Sequence, residues 1–140
     1  MTMTEAATRG RRIPAVGYLV IDQGDPYLVA QECSSCQAMF FDRRNACARC
    51  GGLDFAPKPL GRTGVIRSFT VVRRAAPGVT VPYVSATVAL DGGGMVKANL
   101  VGIEADPANI QLGGRVKLTT FVAGTDEEGT EAVAFGFTPA

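Results

Sequence analysis

Histidine and tryptophan are absent from this 140-residue chain, and its net charge is only +1. Without histidine the chain cannot form a Ser–His or Cys–His nucleophile pair, and it cannot hold a metal through imidazole. The small net charge gives no basic excess for neutralising a phosphate backbone, so the composition disfavours nucleic-acid binding. Apolar runs are short, and none approaches the roughly 18 residues of a transmembrane helix.

Cysteine is scarce, but its four copies form two pairs, Cys33-x-x-Cys36 and Cys47-x-x-Cys50. Two thiolates separated by two residues can bind one metal ion from a tight turn, and a second pair completes a tetrahedral site across a hairpin. Four thiolates favour Zn²⁺ over iron. The alternative, two disulfides, requires an oxidising compartment, and no signal-peptide pattern is recognisable. The sequence therefore predicts one Zn²⁺ bound by all four cysteines.

A closed tetrathiolate site leaves no open position for a catalytic water, so the predicted zinc is structural. With every cysteine bound to metal, the chain has neither a free thiolate nor an imidazole. We therefore predict no catalytic residue and no turnover by the chain alone. Thiolate ligands also need reducing surroundings, which predicts a cytoplasmic protein.

Three segments are predicted along the chain. Residues 1–26 are rich in proline and glycine and read poorly as a helix, so they are interpreted as a lead-in and docking segment. Residues 27–58 predict a rubredoxin-like zinc ribbon, which is too short to hold a core without metal. Pro57 and Pro59 mark its end, because proline cannot donate to a sheet ladder. Residues 59–140 form the second domain.

This second domain has the period-two alternation of β-strands. The predicted strands cover residues 64–74, 84–90, 96–101, 115–122 and 133–137. Asp106 and Pro107 predict one short helical turn between the third and fourth strands. Five strands with a helical turn at this place match the Greek-key OB-fold barrel. An SH3-like barrel or a small sandwich remains open, because periodicity alone does not fix strand order. The predicted fold class is mainly β, a zinc ribbon followed by a five-stranded OB-fold.

This order of domains resembles a bacterial and archaeal family of small zinc-ribbon and OB-fold proteins found with thiolase-like partners. The matching positions are Cys33, Cys36, Phe40, Arg43, Cys47, Cys50 and Gly51 in the ribbon, and Gly64, Gly113, 68–72, 82–84, 99–102 and 137–139 in the barrel. The lead-in around Tyr18 and Leu28 looks most like the small subunits of aromatic acyl-CoA thiolases, such as 2-benzoylsuccinyl-CoA thiolase.

The resemblance implies a non-catalytic accessory subunit of a thiolase-type acyl-CoA enzyme. Such a subunit shapes or caps the acyl-CoA site and stabilises a hetero-oligomer with a thiolase-fold catalytic subunit. It implies structural Zn²⁺ in this chain and a CoA thioester as ligand of the complex. Two alternatives stay open: a stand-alone acyl-CoA-binding protein, and a nucleic-acid-binding module, which would need a basic groove with exposed aromatic residues.

Four side chains of the barrel are candidate ligand contacts. Arg73 and Arg74 end the first barrel strand, and their planar guanidinium groups suit phosphate or carboxylate, although a solvated strand end explains them as well. Tyr83 could line a pocket or cap the core. Lys97 lies on the polar face of a strand, which in OB-folds can bind ligand or simply face solvent.

Two arginines of the ribbon, Arg43 and Arg44, are candidate partner contacts. They occupy a polar turn between the two cysteine pairs, from which they could reach an acidic patch of a partner or a CoA phosphate. The plainer interpretation is a solvated charged turn.

Overall fold

The computed structural model describes residues 11–22, 24–41 and 44–140. The strands in these ranges are β1 Arg12–Pro14, β2 Leu19–Val20, β3 Tyr27–Cys33, β4 Met39–Phe40, β5 Phe55–Pro59, β6 Thr63–Val72, β7 Tyr83–Leu90, β8 Met95–Leu100, β9 Arg115–Thr125 and β10 Glu131–Pro139. A 3₁₀ helix covers Pro107–Asn109, with Asp106 as its N-cap as predicted. No helix within the described ranges is long and apolar enough to cross a membrane.

Strands β6 to β10 form a closed barrel. Its strand order is β10-β8-β7-β6-β9, and β9 pairs with β10 to close it. All of these pairings are antiparallel except β10 with β8, which meet in parallel at Phe137 and Leu100. This order is that of the OB-fold, so the predicted fold is confirmed against the SH3-like and sandwich alternatives.

The barrel core follows the alternation in the sequence. Along β7, every second residue from Val84 to Leu90 is buried, and the residues between them are only half-buried. Phe137 is fully buried and fills the barrel. Phe135, two residues earlier on β10, is half-buried, packs against the same core and meets the rings of Phe137 and Tyr18 edge-on.

The ribbon sheet is built on β3, which pairs antiparallel with β4 and with β5. Pro57 and Pro59 do not interrupt this sheet, contrary to the expectation from their missing N–H groups. The Leu60 N–H donates to the Leu28 carbonyl at 2.9 Å. Since donors alternate along a strand, the nitrogens of Pro57 and Pro59 lie on the opposite edge of β5, where no ladder bond is required.

Residues 12–20 pack onto the chain's own strands. Strand β1 pairs in parallel with β10, and β2 pairs antiparallel with β3. The centre of the Tyr18 ring lies 4.6 Å from the centre of the Phe41 ring in the ribbon and 5.8 Å from the centre of the Phe135 ring in the barrel. Leu28 of β3 and Leu60, which follows β5, belong to the same buried cluster as the barrel core. The ribbon and the barrel therefore share one continuous core, and the predicted segment boundaries stay predictions.

Candidate metal centre and ligand face

The four cysteine sulfurs converge on one point. Their Sγ atoms all lie within 4.8 Å of one another. The Cys33–Cys50 and Cys36–Cys47 Sγ distances are both 3.6 Å. A tetrahedral Zn²⁺ with bonds of about 2.3 Å requires sulfurs about 3.8 Å apart, so these residues fit a structural zinc ion. All four are free cysteines, and the predicted ligand set is brought together.

Each cysteine pair is held by the same turn. The N–H of Gln37 donates to the Cys33 carbonyl at 2.9 Å, and the N–H of Gly51 donates to the Cys47 carbonyl at 2.8 Å. Both donors have a left-handed backbone, with φ of +64° at Gln37 and +79° at Gly51. Glycine adopts this conformation without the clash of a Cβ atom, so Gln37 carries backbone strain that glycine would avoid.

The electrostatics of the four sulfurs call for a cation. Backbone N–H groups, chiefly that of Cys36, lower the pKa of Cys33. Burial raises the pKa of Cys47, but the backbone N–H of Cys50 and others outweigh it, and the pKa falls to about 6. The N–H of Gly52 lowers the pKa of Cys50, yet the neighbouring cysteines, Cys33 first, raise it to about 12. Four thiolates at this spacing repel one another, and a divalent metal removes that repulsion.

A row of hydroxyl side chains crosses the outer surface of β6 and β7. The register places Ser68 opposite Thr87, and Thr87 opposite Lys97 of β8. A cavity of about 330 Å³ lies over this row, which we call the hydroxyl face; its lining residues are Ser68, Phe69, Thr70, Val72, Tyr83, Ser85, Thr87 and Lys97. The structure thus brings the predicted residues Tyr83 and Lys97 to one cavity.

Arg73 and Arg74 are exposed and follow directly after β6. Neither arginine is among the described residues that line the cavity over the hydroxyl face. They nevertheless stand at one end of the hydroxyl face, because Val72 pairs with Tyr83. Their role as ligand contacts therefore stays a prediction.

The candidate partner contacts of the ribbon lie in different positions. Arg43 falls outside the described residues. The Arg44 guanidinium lies 4.4 Å from the centre of the Phe40 ring. It also lines an open cavity of about 580 Å³ together with Phe41, Phe55 and Leu53. Leu53 is 73% exposed, so this surface presents a leucine beside aromatic rings and an arginine. Aromatic and arginine side chains are enriched at protein interfaces. We call it the ribbon patch.

A second groove beside the barrel was missed by sequence reasoning. It has a volume of about 250 Å³ and is lined by Ala15, Val16, Tyr18, Lys97, Ala98, Asn99, Phe121, Ala134 and Phe135. We call it the aromatic groove. Its residues come from the segment before β2 and from strands β8, β9 and β10, so no local motif signals it. Lys97 lines both this groove and the cavity over the hydroxyl face.

Comparison with known proteins identifies the family. Residues 24–56 match the ChsH2 rubredoxin-like zinc ribbon domain, and residues 57–121 match the ChsH2 C-terminal OB-fold domain. The chain belongs to the ChsH2 zinc-ribbon and OB-fold family. A solved structure described as the Ltp2-ChsH2(DUF35) aldolase contains a chain that is 32% identical, with a TM-score of 0.65; the match covers 81% of this chain and 84% of that one.

The chain is also similar to curated proteins that are described as enzyme subunits. The benzoylsuccinyl-CoA thiolase subunit BbsA of Thauera aromatica is 26% identical over 80% of this chain and 76% of its own length. The BbsA subunit of Geobacter metallireducens is 33% identical over 58% of this chain and 55% of its own. A probable enoyl-CoA hydratase alpha subunit of Thermomonospora curvata is 33% identical over 61% of this chain, but the match spans only 27% of that longer protein.

Proposed function

We propose that this chain is a non-catalytic accessory subunit of a thiolase-type acyl-CoA enzyme that acts in the breakdown of an aromatic or other carboxylic acid. The observation that carries the proposal is the similarity, across both domains, to a thiolase subunit and to the ChsH2 chain of an aldolase. The chain stabilises the complex and shapes the acyl-CoA site, while a thiolase-fold partner provides the catalytic groups.

The chemistry of the side chains supports this division of labour. Thiolysis requires a thiolate that carries the acyl group and a base that activates CoA. All four cysteines of this chain converge on one metal site, and the sequence contains no histidine. Zn²⁺ held by four thiolates would fix the two turns of the ribbon and leave no position for substrate. A cytoplasmic location is part of the proposal, because such ligands require reducing surroundings.

The ribbon patch is the surface that we assign to the catalytic subunit. Leu53 is largely exposed, and Arg44 is held over an aromatic ring rather than extended into solvent. Ordered arginine and aromatic side chains around an exposed aliphatic residue favour a lasting interface. Ile13 of β1, which is 43% exposed, is a second apolar side chain open to a partner, on the N-terminal segment.

The test is coexpression with a thiolase-fold subunit, followed by size-exclusion chromatography. The two chains should comigrate, and Leu53→Asp combined with Arg44→Glu should separate them without changing the zinc content. Lys117→Glu is the matched control, because it reverses an exposed charge on strand β9 of the barrel and should leave the complex intact. Separate migration of the unaltered chains would overturn the proposal, as would thiolytic cleavage of an acyl-CoA by this chain alone.

The barrel of this chain would also take part in CoA recognition. Arg73 and Arg74 would contact CoA phosphates at one end of the hydroxyl face, because bidentate guanidinium groups suit phosphate. Replacing both by alanine should raise the apparent KM of the complex for acyl-CoA and leave assembly unchanged. An unchanged KM would remove these arginines from the site. Acyl-CoA binding by a chain that never comigrates with a thiolase-fold subunit would favour the stand-alone binding protein.

A further inference from the structure

The aromatic groove and the hydroxyl face meet at one residue, Lys97 of β8. The hydroxyl face lies on one side of this lysine and presents Ser68, Thr70 and Thr87 among its lining. The aromatic groove lies on the other side and presents ring faces and edges. A ligand that occupied both would need a long polar part and an apolar end, with a polar or anionic group between them.

The aromatic groove exists because β8 and β10 diverge. Their pairing is a single residue pair, Leu100 with Phe137, so the edge of β8 before Leu100 is open to the groove. Next to this pair the strands also approach closely at Gly136, where a Cβ atom would lie 2.8 Å from the Asn99 carbonyl oxygen. This close approach requires glycine and leaves Phe121 and the neighbouring strands to line the groove.

The groove has the size and chemistry for a ring. Its volume is about 250 Å³, and an apolar cavity of about 150 Å³ is enough to hold benzene. Three rings line it, from Tyr18, Phe121 and Phe135, and aromatic side chains favour edge-to-face and stacked contacts with another ring. A ring-bearing group therefore fits better than a polar one.

Charge also favours an acidic or carbonyl-containing ligand. Lys97 is the one charged side chain among the described residues that line the two cavities. No carboxylate in the described part of the chain forms a salt bridge with it. An ammonium group without a carboxylate partner, set between hydroxyl groups and rings, is free to bind an oxygen of a ligand.

The hydroxyl face has the length of an extended polar chain. Tyr83 and Thr87 are on the same strand, and Lys97 is opposite Thr87 on the next. From strand rise and strand spacing, the backbones of Tyr83 and Lys97 are about 14 Å apart. Arg73 and Arg74 stand beyond the Tyr83 end. The order along the surface is thus arginines, hydroxyl groups, lysine and rings.

We propose that the hydroxyl face and the aromatic groove together form one binding site for a CoA thioester whose acyl group carries a ring. The ring occupies the aromatic groove, Lys97 binds an oxygen of the acyl end, and the amide-containing pantetheine chain extends along the hydroxyl face toward the arginines. The choice of a CoA thioester rests on the proposed function, whereas the assignment of the ring to the groove rests on Tyr18, Phe121 and Phe135.

Isothermal titration calorimetry on the zinc-loaded full chain tests this site, with phenylacetyl-CoA, butyryl-CoA, CoA and phenylacetate as probes. Phenylacetyl-CoA should bind at least tenfold more tightly than butyryl-CoA or CoA, and phenylacetate alone should bind weakly. Ala134→Leu fills the groove and should abolish the preference for the ring while CoA still binds. If Ala134→Leu fails to fold, Phe121→Leu serves as a second variant and should reduce the same preference for the ring.

Lys97→Met should weaken phenylacetyl-CoA binding about tenfold, and Lys117→Met, on the exposed side of β9, should leave it unchanged. Equal affinity for phenylacetyl-CoA, butyryl-CoA and CoA would overturn the assignment of the ring to the groove. Equal effects of Lys97→Met and Lys117→Met, or no binding of any CoA compound, would overturn the site. Comigration with a thiolase-fold subunit does not depend on ligand, so loss of binding with comigration retained refutes this inference and leaves the accessory-subunit proposal standing.

Discussion

A side chain at Gly52, at the end of the second cysteine turn, would crowd the cysteine sulfurs. A Cβ atom at this position would lie 3.2 Å from the Cys33 Sγ and 3.3 Å from the Cys50 Sγ, closer than ordinary van der Waals contact. The sulfurs cannot retreat freely, because a tetrahedral zinc holds them at about 2.3 Å. We expect Gly52→Ala to distort the metal site itself.

The size of the effect follows from the crowding. Overpacking by one methyl group costs about 1–3 kcal/mol, and folding of a metal-stapled ribbon is coupled to binding, so zinc affinity should fall about 5- to 150-fold. Gly51→Ala is the matched control. Its Cβ would meet nothing within 4 Å, but its φ is +79°, which costs an alanine about 1–2 kcal/mol. Both variants should bind zinc more weakly, for different reasons.

Cobalt substitution separates the two causes. The visible absorption bands of Co²⁺ report the geometry of its thiolate ligands, and competition with a chelator gives the zinc affinity. Gly52→Ala should shift the cobalt bands and weaken affinity, whereas Gly51→Ala should weaken affinity with the bands unchanged. If Gly52→Ala keeps both the bands and the affinity of the unaltered chain, the Cβ contacts with the sulfurs are not what limits this position.

Three further predictions concern metal loss, the shared core and pH. Cys47→Ser should remove hydrogen-exchange protection from the cysteine turns but keep it in the barrel strands; equal loss in both would contradict this. Tyr18→Ala should remove two ring–ring contacts, each worth about 0.5–1.5 kcal/mol of stability. A double-mutant cycle with Phe135→Leu measures the second of these contacts, and a coupling energy near zero would refute this prediction. Asp91 accepts hydrogen bonds from Arg115, which has the largest effect, and from a threonine. These hydrogen bonds lower the pKa of Asp91 from 3.8 to about 2. Because this folded-state pKa is depressed, its stabilisation is present above about pH 4 and is lost as pH falls toward 2, so Asp91→Asn should lower Tm at pH 7 and have little effect near pH 2.

The features that the sequence predicted depend on residues that are close together in the chain. The spacing of the cysteines specifies a shared metal because a turn of fixed geometry places the sulfurs. Alternation along residues 84–90 specifies a half-buried strand, and the structure places β7 at Tyr83–Leu90. Asp106 before Pro107 is a local capping signal, and it is followed by the 3₁₀ helix.

The features that sequence reasoning missed depend on residues far apart in the chain. The parallel pairing of β1 with β10 joins the two ends of the described chain, and parallel pairs have no hairpin turn to signal them. The aromatic groove combines Tyr18, Phe121 and Phe135 from three separate segments. The left-handed backbone of Gln37, which favours glycine, is visible only in the structure.

The connection between β5 and β6 consists only of Leu60, Gly61 and Arg62. A Cβ atom at Gly61 would lie 2.6 Å from the Asp91 carbonyl oxygen, and Leu60 is 7% exposed within the shared core. A connection this short, packed on both sides, restricts rotation of one domain against the other. The fold of this chain would thus set where an acyl group in the aromatic groove lies relative to a catalytic subunit bound at the ribbon patch.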